Sequence, residues 1–242
     1  MSTALIIGGT SGLGLELAHL YRSTYDQVFV TGRSVDRLLA DWRFVDACYP
    51  KDHRGYLKVG FHYLPISNSS RSSDPISALL SDLPKIDLLI YAAGVQQRAL
   101  IDKISEHDIE LMTQIGLSFP ARLLHHLLRK QKNLPGFIAI TSTSEHIPRR
   151  EEPVYAAVKA GLGMLARSVA LDERVGKVLI TAPAGMNTPF WDGRSDVSTF
   201  LDPAWVAGNI FNIYADLYRS DAKCRSVKIL RQPERIEFVE KF

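Results

Sequence analysis

The chain has 242 residues, of which 46% are hydrophobic and 23% charged, and a formal net charge of +3 at pH 7. This composition is ordinary for a globular protein and excludes a fibrous or largely disordered chain. The basic residues are scattered, so the sequence lacks the basic stripe that favours nucleic-acid binding. Two distant cysteines, Cys48 and Cys224, match neither a disulfide framework nor a metal site.

The amino-terminal residues predict no targeting segment. Met1–Gly8 lacks the charged region of a signal peptide, and its apolar run is too short. No apolar stretch approaches the roughly 20 residues that span a bilayer. We therefore expect a cytoplasmic protein whose partners include neither nucleic acid nor a membrane.

Short apolar runs alternate along the chain with longer segments of helical period. Strands are predicted at Ala4–Ile7, Gln27–Thr31, Leu57–Leu64, Ile86–Ala92, Phe137–Thr141, Lys177–Ala182 and Arg225–Leu230. Helices are predicted over Leu13–Tyr21, from Val35 onward, and over Ile76–Leu83, Ile104–Lys132, Val154–Leu171 and Pro203–Tyr218. This alternation predicts an α/β fold, a doubly wound parallel sheet with helices on both faces, in a single domain over residues 1–242.

The segment 231–242 alternates apolar and charged residues after the last predicted strand. We interpret it as a C-terminal extension of the domain. Three structures fit the pattern: an extra edge strand, a partner-binding arm, or a frayed terminus.

A glycine-rich loop connects the first strand to the first helix. Its candidate ligand-binding residues are Gly8, Thr10, Ser11, Gly12, Leu13 and Gly14. Glycines permit a tight turn and a close approach of the backbone to a pyrophosphate, and the helix N-terminus offers N–H groups to the anion. A glycine-rich turn without a ligand is the alternative.

Arg33 follows the second predicted strand, in Thr31-Gly32-Arg33. In a dinucleotide-binding fold this strand end faces the adenosine ribose, where an acid binds the 2′-hydroxyl and an arginine pairs with a 2′-phosphate. Because no acid is present there, the sequence favours NADP(H) over NAD(H). A solvated surface arginine is the alternative.

Tyr155 and Lys159 are four residues apart in a predicted helix, so they share one face. Ser142 ends a predicted strand 13 residues earlier, and ligands bind at strand ends of open parallel sheets. A single Tyr–Lys pair at this spacing can arise by chance. Its order after the glycine loop makes it a candidate catalytic group.

Together these features resemble the short-chain dehydrogenase/reductase family. The resemblance includes the glycine loop, Tyr91-Ala92-Ala93-Gly94, Ser142, Tyr155-x-x-x-Lys159 and the segment from Pro183 through Gly185 to Thr188, and it covers nearly the whole chain. It implies a Rossmann-type fold and hydride transfer between a nicotinamide cofactor and a carbonyl or alcohol substrate. It also implies that Ala92, Ala93, Gly94, Tyr155, Lys159, Pro183, Gly185 and Thr188 contact the cofactor.

The resemblance implies a role for each catalytic candidate. Tyr155 would be the general acid or base, and Lys159 would lower its pKa and bind the nicotinamide ribose. Ser142 would hold the substrate oxygen. Thr188 would anchor the carboxamide, and the aromatic-rich segment Met186–Leu201 would cover an apolar substrate, although ordinary packing explains that segment equally well.

Several positions depart from the family pattern, among them Ala92 and Pro65. The most consequential is Gly116, which aligns with the catalytic Asn that holds a water in a proton relay. We expect a working but slow enzyme. The alternative is a catalytically weak dinucleotide-binding regulator or structural subunit with the same fold.

Two further features are left open by the sequence. Arg149-Arg150-Glu151-Glu152 is either a solvated loop or a reader of a charged substrate. The family resemblance implies a homodimer or homotetramer built by the helices Ile104–Lys132 and Val154–Leu171.

Overall fold

One mixed sheet organises the computed structural model, which describes residues 1–32, 59–61, 75–81, 83–191 and 197–241. Its strands are β1 (Thr3–Ile7), β2 (Gln27–Thr31), β3 (Val59–Phe61), β4 (Leu88–Tyr91), β5 (Leu134–Ile140), β6 (Val175–Pro183), β7 (Cys224–Arg231) and β8 (Glu234–Lys241). In the described part of the chain the strand order is 3-2-1-4-5-6-7-8. Strands β1 to β7 pair in parallel and β8 pairs antiparallel to β7. The predicted α/β fold is confirmed.

Helices cover both faces of this sheet. They are α1 (Gly12–Tyr21), α2 (Pro75–Ser81), α3 (Glu106–Thr113), α4 (Phe119–Gln131), α5 (Pro153–Ala170) and α6 (Pro203–Arg219). Successive residues of β1 point to opposite faces, so Ala4 and Ile6 join the core beneath α1 and α6, while Leu5 and Ile7 join the core beneath α2, α4 and α5. Burial on both faces explains why the strands are apolar without alternation.

The predicted helix Ile104–Lys132 is interrupted. A π-helical segment, Gln114–Ser118, separates α3 from α4. Pro120 lacks the N–H that would bond to the carbonyl of Gly116 in a regular helix, and its ring would crowd that carbonyl. The wider π-helical turn just before Pro120 removes the need for this N–H bond and relieves the crowding of the carbonyl. This is why the helix changes its hydrogen bonding here.

The other boundaries agree closely with the predictions, except that β5 and β6 begin earlier than expected, at Leu134 and Val175. The helix predicted from Val35 lies outside the described residues, as does most of the predicted strand Leu57–Leu64. Of the three structures proposed for 231–242, the edge strand is the one observed, as β8. None of the described helices combines the length and apolar character needed to cross a bilayer.

Candidate active site

The carboxyl ends of β1, β4, β5 and β6 open into one cavity of about 890 Å³. This is the edge at which open parallel sheets bind ligands. All the predicted site residues that the structure describes line this cavity: Gly8, Thr10, Ser11, Gly12, Leu13, Gly14, Ala92, Ala93, Gly94, Ser142, Tyr155, Lys159, Pro183, Gly185 and Thr188. Arg33 lies outside the described residues.

The glycine loop forms a cradle whose shape depends on its missing side chains. Gly8 and Gly12 have φ values of +86° and +53°, which L-residues rarely adopt. A Cβ at Gly8 would lie 2.6 Å from the backbone nitrogen of Ala93, and one at Gly14 would overlap the carbonyl of Gly8. The backbone is therefore bare at the N-terminus of α1, and this fits the pyrophosphate of a dinucleotide.

Ser142 is positioned by the short helix that follows β5. It is the N-cap of the 3₁₀ helix Thr143–Glu145, and its Oγ accepts a hydrogen bond from the backbone N–H of Ser144 at 3.1 Å. The Ser142 hydroxyl proton is therefore available for a second partner. Its side chain lies close enough to that of Tyr155, on the first turn of α5, to influence the pKa of the phenol.

Tyr155 and Lys159 share the buried face of α5, with exposures of 8% and 4%. Lys159 Nζ lies 5.8 Å from the centre of the Tyr155 ring and donates to the carbonyl oxygen of Ile140 at 3.0 Å. The predicted serine, tyrosine and lysine are therefore brought together at one end of the cavity.

Burial governs the ionisation of both groups. It raises the pKa of Tyr155 well above its ordinary value, an effect that the nearby Ser142 hydroxyl partly opposes. Burial also lowers the pKa of Lys159 to about 8, and the charge of Glu145 acts in the opposite direction. At pH 7 the phenol therefore holds its proton and most of the lysine is charged.

The loop after β6 links this end of the cavity to the glycine cradle. A Cβ at Gly12 would lie 3.1 Å from Thr188 Cβ, and a Cβ at Gly94 would lie 3.4 Å from Lys159 Nζ and 3.9 Å from Phe190 Cε2. Phe190 also packs against the Tyr155 ring, with 6.2 Å between the ring centres. The cavity is therefore continuous from the cradle to the tyrosine.

Gly116, the expected relay position, is filled by a neighbour. A Cβ built at Gly116 would overlap Cγ1 of Val158, the residue before Lys159. An asparagine side chain would therefore displace Val158. Gly116 is buried and, in the part of the chain that the structure describes, is not among the residues that line the cavity.

Tyr91 has a contact that sequence reasoning missed. It is fully buried, and its hydroxyl donates a short hydrogen bond to the carbonyl of Ile115 inside the π-helical segment. A π turn leaves backbone groups without their regular partners, and Tyr91 satisfies one of them. The sequence signal that could have drawn attention to Tyr91 is its position directly before Ala92-Ala93-Gly94.

The charged wall of the cavity was only partly anticipated. Arg149 and Glu152 line the cavity, so this loop is more than a solvated segment. Arg98, which the sequence analysis did not single out, lines it too and lies 3.4 Å from Glu152. Arg98 and its partner Glu151 are 53 residues apart in the chain, so no local sequence signal indicates this contact.

The comparison with protein families agrees with the site. A family model described as short chain dehydrogenase matches residues 2–197. The chain belongs to the short-chain dehydrogenase family. Members of this family are NAD(P)-dependent oxidoreductases that act on small molecules and are typically oligomeric, and the predicted family is confirmed.

Individual relatives are distant. An uncharacterized oxidoreductase, DltE, of Bacillus subtilis is 26% identical over 167 residues, or 66% of this chain, and D-beta-hydroxybutyrate dehydrogenase of Cupriavidus necator is 26% identical over 172 residues, or 70%. The chain spans 61% and 64% of the lengths of these two relatives. Among solved structures, an alcohol dehydrogenase from Thermococcus sibiricus, complexed with 5-hydroxy-NADP, has a TM-score of 0.78 at 20% identity and covers 98% of this chain and 99% of its own. That likeness supports the fold.

Proposed function

We propose that this protein is an NADP(H)-dependent oxidoreductase that transfers a hydride between nicotinamide and a carbonyl or alcohol substrate. The observation that carries the proposal is the buried cluster of Ser142, Tyr155 and Lys159 at the end of a cavity that begins at a glycine cradle. The cluster provides a proton donor and a cation, and the cradle fits the dinucleotide.

Each residue of the cluster has a distinct task. The dinucleotide, when bound, supplies or accepts the hydride. Tyr155 holds a proton at neutral pH and donates it to the carbonyl oxygen during reduction, or takes it from the alcohol during oxidation. Ser142 donates its hydroxyl proton to the same oxygen, since its Oγ already accepts a hydrogen bond from the backbone N–H of Ser144.

Lys159 prepares the phenol for this exchange. Burial alone makes Tyr155 too weak an acid, and a nearby ammonium favours the phenolate and so lowers the pKa. The Ile140 carbonyl holds the ammonium beside the ring. Lys159 is also the group we assign to the nicotinamide ribose.

The decisive experiment combines binding and turnover. Wild-type protein is titrated with NADPH and NADH, and the reduction of an aldehyde panel is then compared between wild type and Tyr155→Phe. We expect NADPH to bind more tightly than NADH, and the variant to lose at least about 10³-fold in turnover because the proton donor is gone, while NADPH still binds. Turnover retained in Tyr155→Phe would overturn the assigned mechanism.

A second candidate function is a catalytically weak dinucleotide-binding regulator or structural subunit. It is favoured by one observation, the Val158 methyl group in the space beside Gly116, which leaves no room for a relay asparagine. This candidate predicts that the protein binds NADPH tightly, and that Tyr155→Phe causes no loss of turnover relative to wild type.

We further propose that the protein is a homodimer or homotetramer in which α5 contributes to the contact. Two large apolar side chains, Met164 on α5 and Leu171 at its end, are 60% and 72% exposed. A single domain over residues 1–242 and a cytoplasmic location stay predictions.

A further inference from the structure

Two arginines and one glutamate form a cluster on the cavity wall beside Ser142 and Tyr155. Arg98 Nε lies 3.4 Å and Arg149 Nε lies 3.7 Å from the carboxylate of Glu152. Glu152 is buried, and its Oε2 also accepts a hydrogen bond from Ser144 Oγ at 2.9 Å. One buried carboxylate therefore holds two guanidinium groups in place.

The two guanidinium groups keep open donors. Nη2 of Arg98 donates to Glu151, and Nη2 of Arg149 donates to Thr143 Oγ1 at 3.3 Å. Among the described residues, no hydrogen bond uses Nη1 of either arginine. Both side chains remain about two-fifths exposed, at 40% for Arg98 and 42% for Arg149, and both line the cavity. Each arginine therefore offers one terminal nitrogen to a ligand.

The charge balance of the wall is positive. Among the described residues, four cationic side chains and one acidic side chain line the cavity; the cations are Arg98, Arg149, Lys159 and Arg231, and the acid is Glu152. Glu152 neutralises only one of the two arginines that it contacts. Glu151, the second acid near Arg98, is half exposed, and solvent screens exposed pairs strongly. The described lining of the cavity therefore carries a net positive charge that attracts anions.

We propose that Arg98 and Arg149 bind a carboxylate on the carbonyl substrate and so orient its carbonyl group toward Ser142 and Tyr155. One terminal nitrogen from each arginine matches the two oxygens of a carboxylate, and charge-assisted bonds of this kind are strong and directional. The inference rests on the proposed function, since it assigns the substrate class of the same site.

The position of Arg149 relative to Tyr155, the proton donor, supports the assignment. The charges of Arg149 and Glu152 act in opposite directions on the pKa of Tyr155, so both lie within electrostatic reach of the phenol. A carboxylate bound at Arg149 therefore lies within electrostatic reach of the proton donor.

The competing explanation is that the cluster only fixes the loop 143–152 that carries Ser144. A purely structural role would change kcat/KM equally for charged and neutral substrates. A carboxylate-binding role changes their ratio. The test therefore compares two aldehydes with the same reacting group, 4-formylbenzoate and methyl 4-formylbenzoate.

The variants are Arg98→Gln and Arg149→Gln, and the matched control is Arg150→Gln. Arg150 is the neighbouring arginine, is exposed, and is not among the described residues that line the cavity. We expect wild type to prefer 4-formylbenzoate, each cavity variant to lower the charged-to-neutral ratio of kcat/KM by about tenfold or more, and Arg150→Gln to leave that ratio unchanged.

Calorimetric binding of both aldehydes to the NADP⁺-loaded proteins separates this inference from the proposed function. A charged-to-neutral ratio of dissociation constants that rises in both cavity variants supports the carboxylate site even if wild type reduces neither aldehyde, in which case the proposed function fails alone. A ratio that neither variant changes, or a wild-type preference for the ester, overturns the inference whatever the turnover.

Discussion

Lys159 is the residue whose environment most directly sets the chemistry of this site. Its side chain is almost fully buried, and its one hydrogen-bond acceptor in the described structure is a neutral carbonyl. Burial is the larger influence and lowers its pKa from 10.5 to about 8, while Glu145 works against it. The charge of Lys159 is therefore lost within two units of neutral pH, far earlier than on a surface lysine.

This pKa predicts how reduction depends on pH. Below pH 8 the ammonium is present and supports proton donation by Tyr155. As the pH rises through about 8 the charge disappears, so kcat/KM for aldehyde reduction should fall by up to tenfold per pH unit. Initial rates at saturating NADPH between pH 6 and 10 measure this. In Lys159→Arg, which stays charged, the break near pH 8 should vanish; a wild-type profile that is flat to pH 10 contradicts the assignment.

Among the elements, the contact between the π-helical segment and α5 does most to distinguish this site. Gly116 and Val158 are complementary, because the missing side chain on one helix is replaced by a methyl group from the other. Tyr91 secures the same segment from the sheet side by bonding to the carbonyl of Ile115. The backbone beside Lys159 is therefore held from two directions without an asparagine.

Installing the family asparagine should therefore destabilise the protein. Gly116→Asn forces the side chain into Val158, and overpacking of this kind costs about 1–3 kcal/mol in the free energy of unfolding. The double variant Gly116→Asn/Val158→Ala should recover part of the loss. Urea denaturation measures both.

Gly208→Ala is the matched control for that experiment. Gly208 also lies within a helix, α6, but a Cβ there meets no atom of the described residues within 4 Å, so alanine should be neutral or stabilising by up to about 1 kcal/mol. If Gly116→Asn were as stable as wild type, the complementarity of Gly116 and Val158 would be wrong.

Local patterns predict the elements well and the contacts between them poorly. Strand β2 is found at the predicted residues, Gln27–Thr31, because its apolar run and its neighbours decide its extent. The approach of Arg98 to Glu152 depends on two separate loops meeting, which no local pattern contains. Strand β8 could only be left open, because its alternation suits an edge strand and a free terminus alike until a pairing strand is known.

At the scale of the whole molecule, one arginine connects the edge of the sheet to the candidate active site. Arg167 on α5 donates to Glu145 at 2.6 Å, to Ser226 on β7 at 3.2 Å, and to Glu240 on β8. The Glu145 side chain is 4% exposed and lies in the short helix that Ser142 caps. The last strand is therefore tied to the loop that carries the predicted catalytic serine.

Removal of this arginine should weaken the whole fold. Arg167→Met leaves the buried Glu145 carboxylate without its cation, which should lower the free energy of unfolding by roughly 3 kcal/mol. Arg174→Met is the control, because the ion pair of Arg174 with Asp172 is more exposed. Exposed ion pairs contribute less than about 1 kcal/mol to the free energy of unfolding. Equal losses in the two variants, measured by urea denaturation, would contradict the role given to Arg167.

The π-helical segment Gln114–Ser118 also has a consequence for comparing sequences. A π turn holds one residue more than an α turn, and each residue of a regular helix advances its face by about 100°. An uninterrupted helix that is aligned with α3 is therefore out of register with α4 by one residue. A relative whose helix is uninterrupted here should therefore align with a gap of one position inside this segment, and the residue placed opposite Gly116 depends on which side of that position the gap is set.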